Sequence, residues 1–293
     1  MIITRLIGGL GNQMFQYAAG LSLARNKETS LKMDICFLLD KSKRYYRHSH
    51  RDYGLDIFKI SGEIASDKEI TKHVVPRRGN KYVYHLLKKI KKQKAVYDEE
   101  TIDSLREFYR IPSDAYIQGT WQDVRYLKDI DAELRREFEF NEQLPDGHLE
   151  IYSKINSENS VCVVFRRGDY VGHPFLDIVG LDFYDKAVEI MNGKTPNPSY
   201  YVFSDDIDWC RNNFKPEGVS VCFVDQKYTG PKAQYYLMLM ATCKHHIIPN
   251  STYPWWGAWL CRNPEKIVIA PKIWYKGQSD RRNEILMDDW IAI

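Results

Sequence analysis

The second half of the sequence places charged side chains directly after short apolar runs. Arg166 and Arg167 follow the run 161–165, and Asp169 lies two residues further on. Two adjacent guanidinium groups can bind a diphosphate through paired hydrogen bonds, which lysine cannot reproduce. An Arg-Arg pair beside an aspartate is also a frequent structural ion pair. The segment is therefore a candidate diphosphate site. The residues that lie beside it in the fold decide between this interpretation and a structural ion pair.

A second polar segment combines an amide, two hydroxyls and the start of a helix. Asn250, Ser251 and Thr252 follow the apolar run 246–248 and precede the aromatic helical pattern 255–259. The hydroxyls, the free N–H groups and the helix dipole all favour a bound phosphate. The same residue types also serve simply as helix caps, so both interpretations stay open.

Acidic residues after a third apolar run, 200–203, allow two interpretations. Ser204 is followed by Asp205 and Asp206, whose carboxylates can accept from the ring N–H and amino group of a guanine. The segment 205–208 has the spacing of a divalent-cation site as well. Because the arginines and the helix start already supply positive charge for a leaving diphosphate, the sequence favours a site without a metal.

The elements that position these groups alternate along the chain. Five short apolar runs are predicted strands, at 161–165, 200–203, 219–224, 246–248 and 267–269. Helical patterns lie between them, at about 182–192, 207–214 and 232–243. This alternation predicts a parallel sheet covered on both faces, with ligands bound beyond the carboxyl ends of its strands. We therefore expect the three polar segments to converge on one rim.

The first half opens with a strand pattern, 2–7, and a glycine turn. Asn12 is predicted to cap a helix that runs to about Asn26, and a second strand follows near 31–33. A strand is also predicted at 116–121. The region 36–114 is charged and irregular, with helices predicted near 85–94 and 99–109.

The glycine turn begins like a dinucleotide fingerprint. Gly9 and Gly11 have the required spacing, but Met14 occupies the third glycine position, where a side chain crowds helix–strand packing. This argues against an NAD site. The turn, with Asn12 and Gln13, either lets the backbone approach another ligand or is merely tight.

Composition sets the broad class. The 293 residues are 44% hydrophobic and 28% charged, which is typical of a globular protein, and a net charge of +3 is too small to imply a nucleic-acid partner. The segment 141–150, which carries Pro145, Asp146 and Gly147, is the best linker candidate, and it predicts α/β domains at 1–145 and 146–293. The sequence shows no signal-peptide layout and no apolar run long enough to span a bilayer, and its six cysteines form no CxxC pair. A cytoplasmic enzyme is expected, and the basic segment 85–94 is either a solvated helix face or a peripheral contact with an anionic membrane.

Five motifs, in chain order, resemble the bacterial α-1,2-fucosyltransferases of glycosyltransferase family 11. They are the segments 8–18, 118–122, 166–170, 203–206 and 250–259, and the similarity continues to 270–272 and 289–291. The resemblance implies a GT-B-like fold of two Rossmann-like domains with parallel sheets facing across a cleft. The N-terminal domain would serve the acceptor side, and the C-terminal domain would bind GDP-β-L-fucose.

The implied activity is that of a galactoside 2-α-L-fucosyltransferase. It would transfer fucose with inversion to the 2-hydroxyl of a terminal β-galactoside, in the synthesis of a glycan such as a surface polysaccharide or O-antigen, with GDP-fucose as co-substrate and no other cofactor. Arg166 would bind the β-phosphate, and Asp169 is the nearest candidate base, with His173 and Asp177 as alternatives. The further substrate-binding candidates are Gly9, Gly11, Asn12, Gln13, Arg167, Ser204, Asp205, Asp206, Asn250, Ser251 and Thr252.

One position departs from the family pattern. Val164 stands two residues before Arg166, where the family usually has a histidine that in related fucosyltransferases helps to hold the guanine. The departure leaves Asp205 or Asp206 to recognise the base. It also suggests an alternative, a transferase of the same fold that uses a different nucleotide sugar. A third alternative, independent of Val164, is a non-catalytic protein that binds sugar nucleotides or glycans and has lost its base.

Overall fold

The computed structural model describes residues 1–40, 52–74, 95–277 and 284–293. They form two compact units, Met1–Asn141 and Glu142–Ile293. The division lies inside the predicted linker segment, four residues before the predicted boundary at 145/146. The predicted basic helix at 85–94 lies outside the described residues.

The first unit is built on a five-stranded parallel sheet. Its strands are β1 (Ile2–Arg5), β2 (Leu31–Asp34), β3 (Glu63–Ile64), β4 (Val96–Asp98) and β5 (Ala115–Gln118). They lie in the order β3-β2-β1-β5-β4, and every pairing is parallel. The helices are α1 (Leu10–Asn26), α2 (Cys36–Leu39), α3 (Asp67–His73), α4 (Leu105–Phe108) and α5 (Asp131–Glu137).

In this unit the predicted helix that ends at Asn26 is confirmed, but its predicted N-cap and the helix predicted at 99–109 are wrong. Helix α1 begins at Leu10 with Gly9 as its N-cap, so Asn12 lies inside the first turn and is not the N-cap residue. The helix starts early because Gly8, at a φ of +78°, turns the chain in a conformation that glycine adopts without strain. The helix predicted at 99–109 is two elements, a 3₁₀ turn at Glu99–Thr101 and α4, because the hydroxyl of Ser104 accepts from the Glu107 N–H and starts a new helix.

The second unit holds a six-stranded parallel sheet. Its strands are β6 (Ser160–Phe165), β7 (Ser199–Ser204), β8 (Ser220–Phe223), β9 (His245–Ile247), β10 (Val268–Ala270) and β11 (Ile291–Ala292). They lie in the order β11-β10-β9-β6-β7-β8, all parallel. The helices are α6 (Leu149–Ser157), α7 (Leu181–Lys194), α8 (Ile207–Asn213), α9 (Gln234–Thr242) and α10 (Thr252–Leu260). The predicted α/β class with two parallel sheets is confirmed.

Both faces of this sheet are buried. Along β6, Val161 and Val163 belong to one core cluster, and Cys162 and Val164 belong to the cluster on the other face. Successive side chains of a strand point to opposite faces, so a continuous apolar run is what a sheet covered on both sides requires. This is why the strand predictions of the second unit held. Among the described residues, no helix combines the length and apolar character needed to cross a bilayer.

Helix α10 is buried from Pro254 to Trp259 and closed at its C-terminal end. Trp255, Trp256 and Trp259 are at most 1% exposed. The ammonium of Lys266 donates to the carbonyls of Ala258 at 2.7 Å, Trp259 at 3.3 Å and Cys261 at 3.1 Å. Lysine here satisfies carbonyls that the helix end leaves unpaired and complements the negative end of the dipole.

Candidate functional site

Arg166, the first residue after β6, is held by two carboxylates and a ring. Its guanidinium donates to Asp205 and Asp169, and its central carbon lies 5.5 Å from the centroid of the Tyr170 ring. The arginine side chain is still 27% exposed. The side chain is therefore fixed in orientation, while part of it stays open to a ligand.

Asp205 shapes the loop that carries the arginines. Besides the Arg166 guanidinium, its carboxylate accepts from the N–H groups of Arg167 at 2.9 Å and Gly168 at 3.1 Å. An ionised carboxylate offers about four lone-pair positions, of which these donors use three. Asp205 thus has a structural task, and its contact with a guanine stays a prediction.

Arg167 stacks on an aromatic ring that sequence analysis did not single out. Its guanidinium carbon lies 3.6 Å from the centroid of the Trp209 ring, and its Nε donates to Asp206 at 3.1 Å. The Asp206 side chain also accepts from the main-chain N–H of Trp209 at 3.3 Å and so caps α8. The main-chain N–H of Asp206 donates to the Ser204 hydroxyl at 2.9 Å. The only sequence signal for this contact is the position of Trp209 three residues after Asp206, in the first turn of α8.

The start of α10 lies beside this loop. The hydroxyl of Tyr170 donates to the main-chain carbonyl of Asn250 at 3.2 Å, and burial raises the pKa of Tyr170, so the phenol remains a donor. Ser251 is the N-cap residue of α10, yet its side chain makes no cap bond to the helix. Thr252 is the first helical residue. The structure therefore brings the two polar segments predicted as phosphate ligands to the same rim of the sheet.

Asn250 ties two loops to that rim. It is 1% exposed, and its amide nitrogen donates to the carbonyls of Leu176 at 3.1 Å and Trp274 at 2.9 Å. Both donor positions of this amide are thus used within the protein. The structure gives Asn250 a positioning role, and a direct ligand contact by this residue stays a prediction.

The three candidate bases all have local partners. Asp169 accepts from Arg166, the Nδ1 of His173 accepts from the Phe175 N–H at 3.2 Å, and Asp177 accepts from the Gly172 N–H at 2.7 Å. Asp169 and Asp177 remain exposed. The geometry leaves all three as candidates.

Val164 contributes packing where the family pattern has a histidine. Its side chain is 5% exposed and belongs to the core cluster on one face of the sheet, and its carbonyl accepts from Tyr184 at 2.8 Å. No polar side-chain group is available at this position.

In the first unit, the predicted glycine turn is pinned by a buried amide. The side chain of Gln13 is fully buried, and its nitrogen donates to the carbonyls of Gly8 at 2.9 Å and Asp52 at 3.0 Å. Its oxygen accepts from the Gly54 N–H at 2.9 Å. Gln13 therefore positions the turn, and its predicted contact with substrate is untested.

The residues near Gln13 differ in whether they are open to a ligand or already in contact with other parts of the protein. A Cβ added at Gly9 would meet nothing within 4 Å, so the backbone there is open to close approach. Gly11 is buried in the first turn of α1. Asn12 accepts from the side chain of Gln122 at 3.2 Å. Gln16, for which the sequence predicted no role, is also fully buried, and its side-chain amide donates to the Gly119 carbonyl at 3.0 Å.

No group of three or more histidine, cysteine, aspartate or glutamate side chains within the described ranges is arranged to hold a metal ion. Asp205 and Asp206, which the sequence offered as alternative ligands for a cation, are each paired with an arginine.

A parallel sheet with an arginine pair and a helix start at its carboxyl edge is an α/β arrangement that suits a phosphate-bearing ligand. The sequence profile of glycosyl transferase family 11 matches residues 1–293, and the chain belongs to this family. It is a glycosyltransferase, as the motif resemblance implied.

Relatives of established function are similar over nearly the whole chain. An O-antigen biosynthesis glycosyltransferase, WbnK of Escherichia coli, is 32% identical over 308 residues, which cover 98% of this chain and 99% of that protein. An alpha-1,2-colitosyltransferase of Escherichia coli is 31% identical and covers 100% of this chain and 99% of its own length. The mouse galactoside 2-alpha-L-fucosyltransferase Sec1 is 24% identical over 89% of this chain and 64% of that protein.

Solved structures share the fold. The alpha-1,6-fucosyltransferase NodZ, soaked with GDP-fucose, aligns with a TM-score of 0.51 and 17% identity over 92% of this chain and 94% of that chain. POFUT1 in complex with GDP-fucose aligns with a TM-score of 0.53 and 12% identity over 92% of this chain and 97% of that chain. The predicted GT-B-like architecture agrees with these neighbours.

Proposed function

We propose that the chain transfers L-fucose from GDP-β-L-fucose to the 2-hydroxyl of a terminal β-galactoside, with inversion, in the synthesis of a surface polysaccharide or O-antigen. The observation that carries this proposal is the Tyr170–Asn250 hydrogen bond of 3.2 Å, which joins the Arg166 loop to the start of α10. A guanidinium and a helix N-terminus at one rim form a site for a diphosphate. In this proposal the unit Glu142–Ile293 binds the donor.

Arg166 is proposed to stabilise the leaving group. A lone pair of the galactoside 2-oxygen attacks the anomeric carbon of fucose, and the bond from that carbon to the β-phosphate oxygen breaks. The electron pair stays on GDP, whose added negative charge Arg166 and the helix start would stabilise. One well-placed donor of this kind contributes about 3 to 4 kcal/mol to catalysis.

Asp169 is proposed to take the proton of the attacking hydroxyl, with His173 and Asp177 as alternatives. Because Asp169 also holds Arg166, the two roles separate experimentally. If Asp169 only orients the arginine, Asp169→Asn weakens GDP binding. If it is the base, the loss is in kcat, and GDP affinity is retained.

The reaction is proposed to need no metal and no cofactor besides its nucleotide-sugar substrate. The support is that the positive charge for the leaving diphosphate comes from Arg166, Arg167 and the positive end of α10. Metal ions commonly supply that charge in nucleotide-sugar chemistry, and here the protein offers it from its own groups.

A second candidate donor is nucleotide-linked colitose, the 3-deoxy form of L-fucose. The alpha-1,2-colitosyltransferase relative, 31% identical over the whole of this chain, favours it. Val164 is a further reason, since the chain departs from the fucosyltransferase pattern at that position.

A donor screen with purified protein tests the proposal. Lactose is the acceptor, and GDP-fucose, GDP-colitose and GDP-mannose are compared by kcat/KM. The proposal expects GDP-fucose to be preferred. A preference for GDP-colitose selects the second candidate, and absence of turnover with every donor, together with absence of GDP binding, overturns both.

A further inference from the structure

Two loops of the second unit expose a cluster of large apolar side chains. Val171 and Phe175 are 56% and 59% exposed, and Ile273 and Tyr275 are each 39% exposed. We call these four residues the aromatic ridge. Among the described residues, they are half of the eight large hydrophobic side chains that are exposed. Such concentration of apolar surface marks a binding surface, whereas single exposed residues are ordinary.

The loops that carry the ridge are fixed to each other and to the rim. The Lys276 N–H donates to the carbonyl of Phe175 at 2.9 Å. This main-chain bond brings Tyr275, the residue before Lys276, close to Phe175. Asn250 holds both loops through its bonds to Leu176 and Trp274. The ridge is therefore a defined surface whose position relative to the start of α10 is set by one buried amide.

The ridge continues directly from the proposed donor site. Val171 is the residue after Tyr170, whose ring lies against Arg166. A sugar acceptor must present its hydroxyl to the anomeric carbon next to the diphosphate. An acceptor bound to this unit therefore lies close to the Arg166 loop. The aromatic ridge adjoins that loop.

We propose that the aromatic ridge is the binding platform for the galactose-terminated acceptor glycan. This inference rests on the proposed function for its acceptor. One face of a β-galactopyranose consists of C–H groups, which lose contact with water when they pack on an aromatic ring such as Phe175 or Tyr275. The hydroxyls on the opposite face and edges need polar partners, which small-ligand sites supply in small number.

Polar groups of that kind flank the ridge. The His173 ring centroid lies 6.3 Å from that of Phe175, and Asp177 is exposed in the same loop. A carboxylate accepts from sugar hydroxyls, and an imidazole can donate or accept. The surface thus combines a ring face with hydrogen-bonding groups, as a sugar requires, whereas a purely apolar partner would leave those groups unpaired.

Galactoside binding is tested directly, without relying on turnover. Saturation-transfer NMR with methyl β-D-galactoside, in the presence of GDP, reports which protons of the sugar touch the protein. Wild type is compared with Phe175→Ala, Tyr275→Ala and the double variant. Tyr152→Ala is the matched control, because Tyr152 is a similarly exposed tyrosine, 37% accessible, on α6. Acceptor KM for lactose and GDP affinity by calorimetry are measured on the same proteins.

The expected result is a loss of saturation transfer in the double variant and a rise of roughly tenfold or more in acceptor KM per ring removed. GDP affinity is expected to stay within about twofold, and Tyr152→Ala to match wild type. Unchanged saturation transfer and KM in the double variant overturn the inference. So does a parallel loss of GDP affinity. A smaller particle mass for the double variant than for wild type by light scattering, with unchanged galactoside binding, also overturns it and would make the ridge a contact between copies of the chain.

The two proposals fail separately. If wild type binds the galactoside through the ridge but does not bind GDP, the proposed function is wrong, and the ridge stands only as a galactoside-binding surface. If GDP-fucose is consumed normally and the ridge variants leave acceptor KM unchanged, the platform is wrong and the proposed function stands.

Discussion

The phenolic hydroxyl of Tyr170 donates to the main-chain carbonyl of Asn250 across 3.2 Å, and this bond joins the Arg166 loop to the start of α10. Tyr170→Phe removes the bond and keeps the ring beside Arg166. Because one hydrogen bond contributes about 0.5 to 1.5 kcal/mol, we expect GDP affinity to fall roughly two- to tenfold. Calorimetric titration with GDP measures it. Tyr200→Phe is the control, because that hydroxyl bonds Asn192 near the opposite end of β7. Equal affinity in wild type and Tyr170→Phe would show that the bond does not position the site.

Arg166→Lys is expected to lower kcat/KM by about a hundredfold or more. An ammonium is a point charge and cannot span Asp205, Asp169 and a phosphate with the planar fork of a guanidinium. Steady-state transfer to lactose is the measurement. Arg211→Lys serves as control, since Arg211 lies on the surface of α8 over Phe223. Turnover within threefold of wild type would remove Arg166 from the proposed mechanism.

Gly168→Ala is expected to lower activity about tenfold, although the change adds one methyl group. An added Cβ would lie 2.8 Å from Asp205 Oδ2, so the carboxylate that holds Arg166 must move. Gly193→Ala is the matched change in α7, where a Cβ meets nothing within 4 Å. That control should keep its activity and gain about 0.4 to 1 kcal/mol of stability. Thermal melts and transfer assays on both variants separate a local displacement from a general effect of the substitution.

Transfer activity is expected to survive excess EDTA. Asp205 and Asp206 are paired with Arg166 and Arg167, so the two carboxylates that a cation would need are already engaged by the protein. The assay compares initial rates with EDTA, with Mg²⁺ and with Mn²⁺. A rate that is lost in EDTA and recovers only with Mn²⁺ would make the segment 205–208 a metal site after all.

Stability is expected to fall in mild acid because of a buried histidine. Burial lowers the pKa of His246 well below its usual value, and the charge of Lys266, together with that of His245 when it is protonated, acts in the same direction. The folded chain therefore keeps this ring neutral, while the unfolded chain binds a proton below about pH 6.5. The contribution to stability is complete above that pH and declines below it, by about 1.4 kcal/mol per pH unit. Urea unfolding at pH 7.5 and 5.5 should show a smaller loss for His246→Leu than for wild type. The same loss in both proteins would assign the acid sensitivity to other groups.

The sheet of the second unit was predictable from sequence because its central strands are buried on both faces. The continuous apolar runs at β6 and β7 can be satisfied only in that environment. The two-residue strand β11 carries too little pattern to be seen. In the first unit, α3 was missed although Ser66 and Glu69 form a capping box, because charged residues around it obscure the helical period.

The positions of the candidate ligands were predictable, and their partners were not. Strand ends placed Arg166 and Asn250 at one rim, since parallel strands end on the same edge. That Tyr170 joins them, and that the Trp209 ring lies under Arg167, depends on side-chain directions set by tertiary packing. The sequence also could not show that Asp205 is occupied by three donors from the neighbouring loop.

Helix α10 has its positive end at the rim and is immobilised elsewhere by three buried tryptophans and by Lys266 at its far end. Its N-terminal N–H groups therefore have a fixed direction, and the proposed binding of GDP at this end requires no rearrangement of the helix. Because the helix is ordered before binding, it loses little conformational entropy when an anion binds to its N-terminus. Amide hydrogens within α10 should accordingly exchange at the same slow rate in the free protein and in the GDP complex, with any new protection confined to the loops around it.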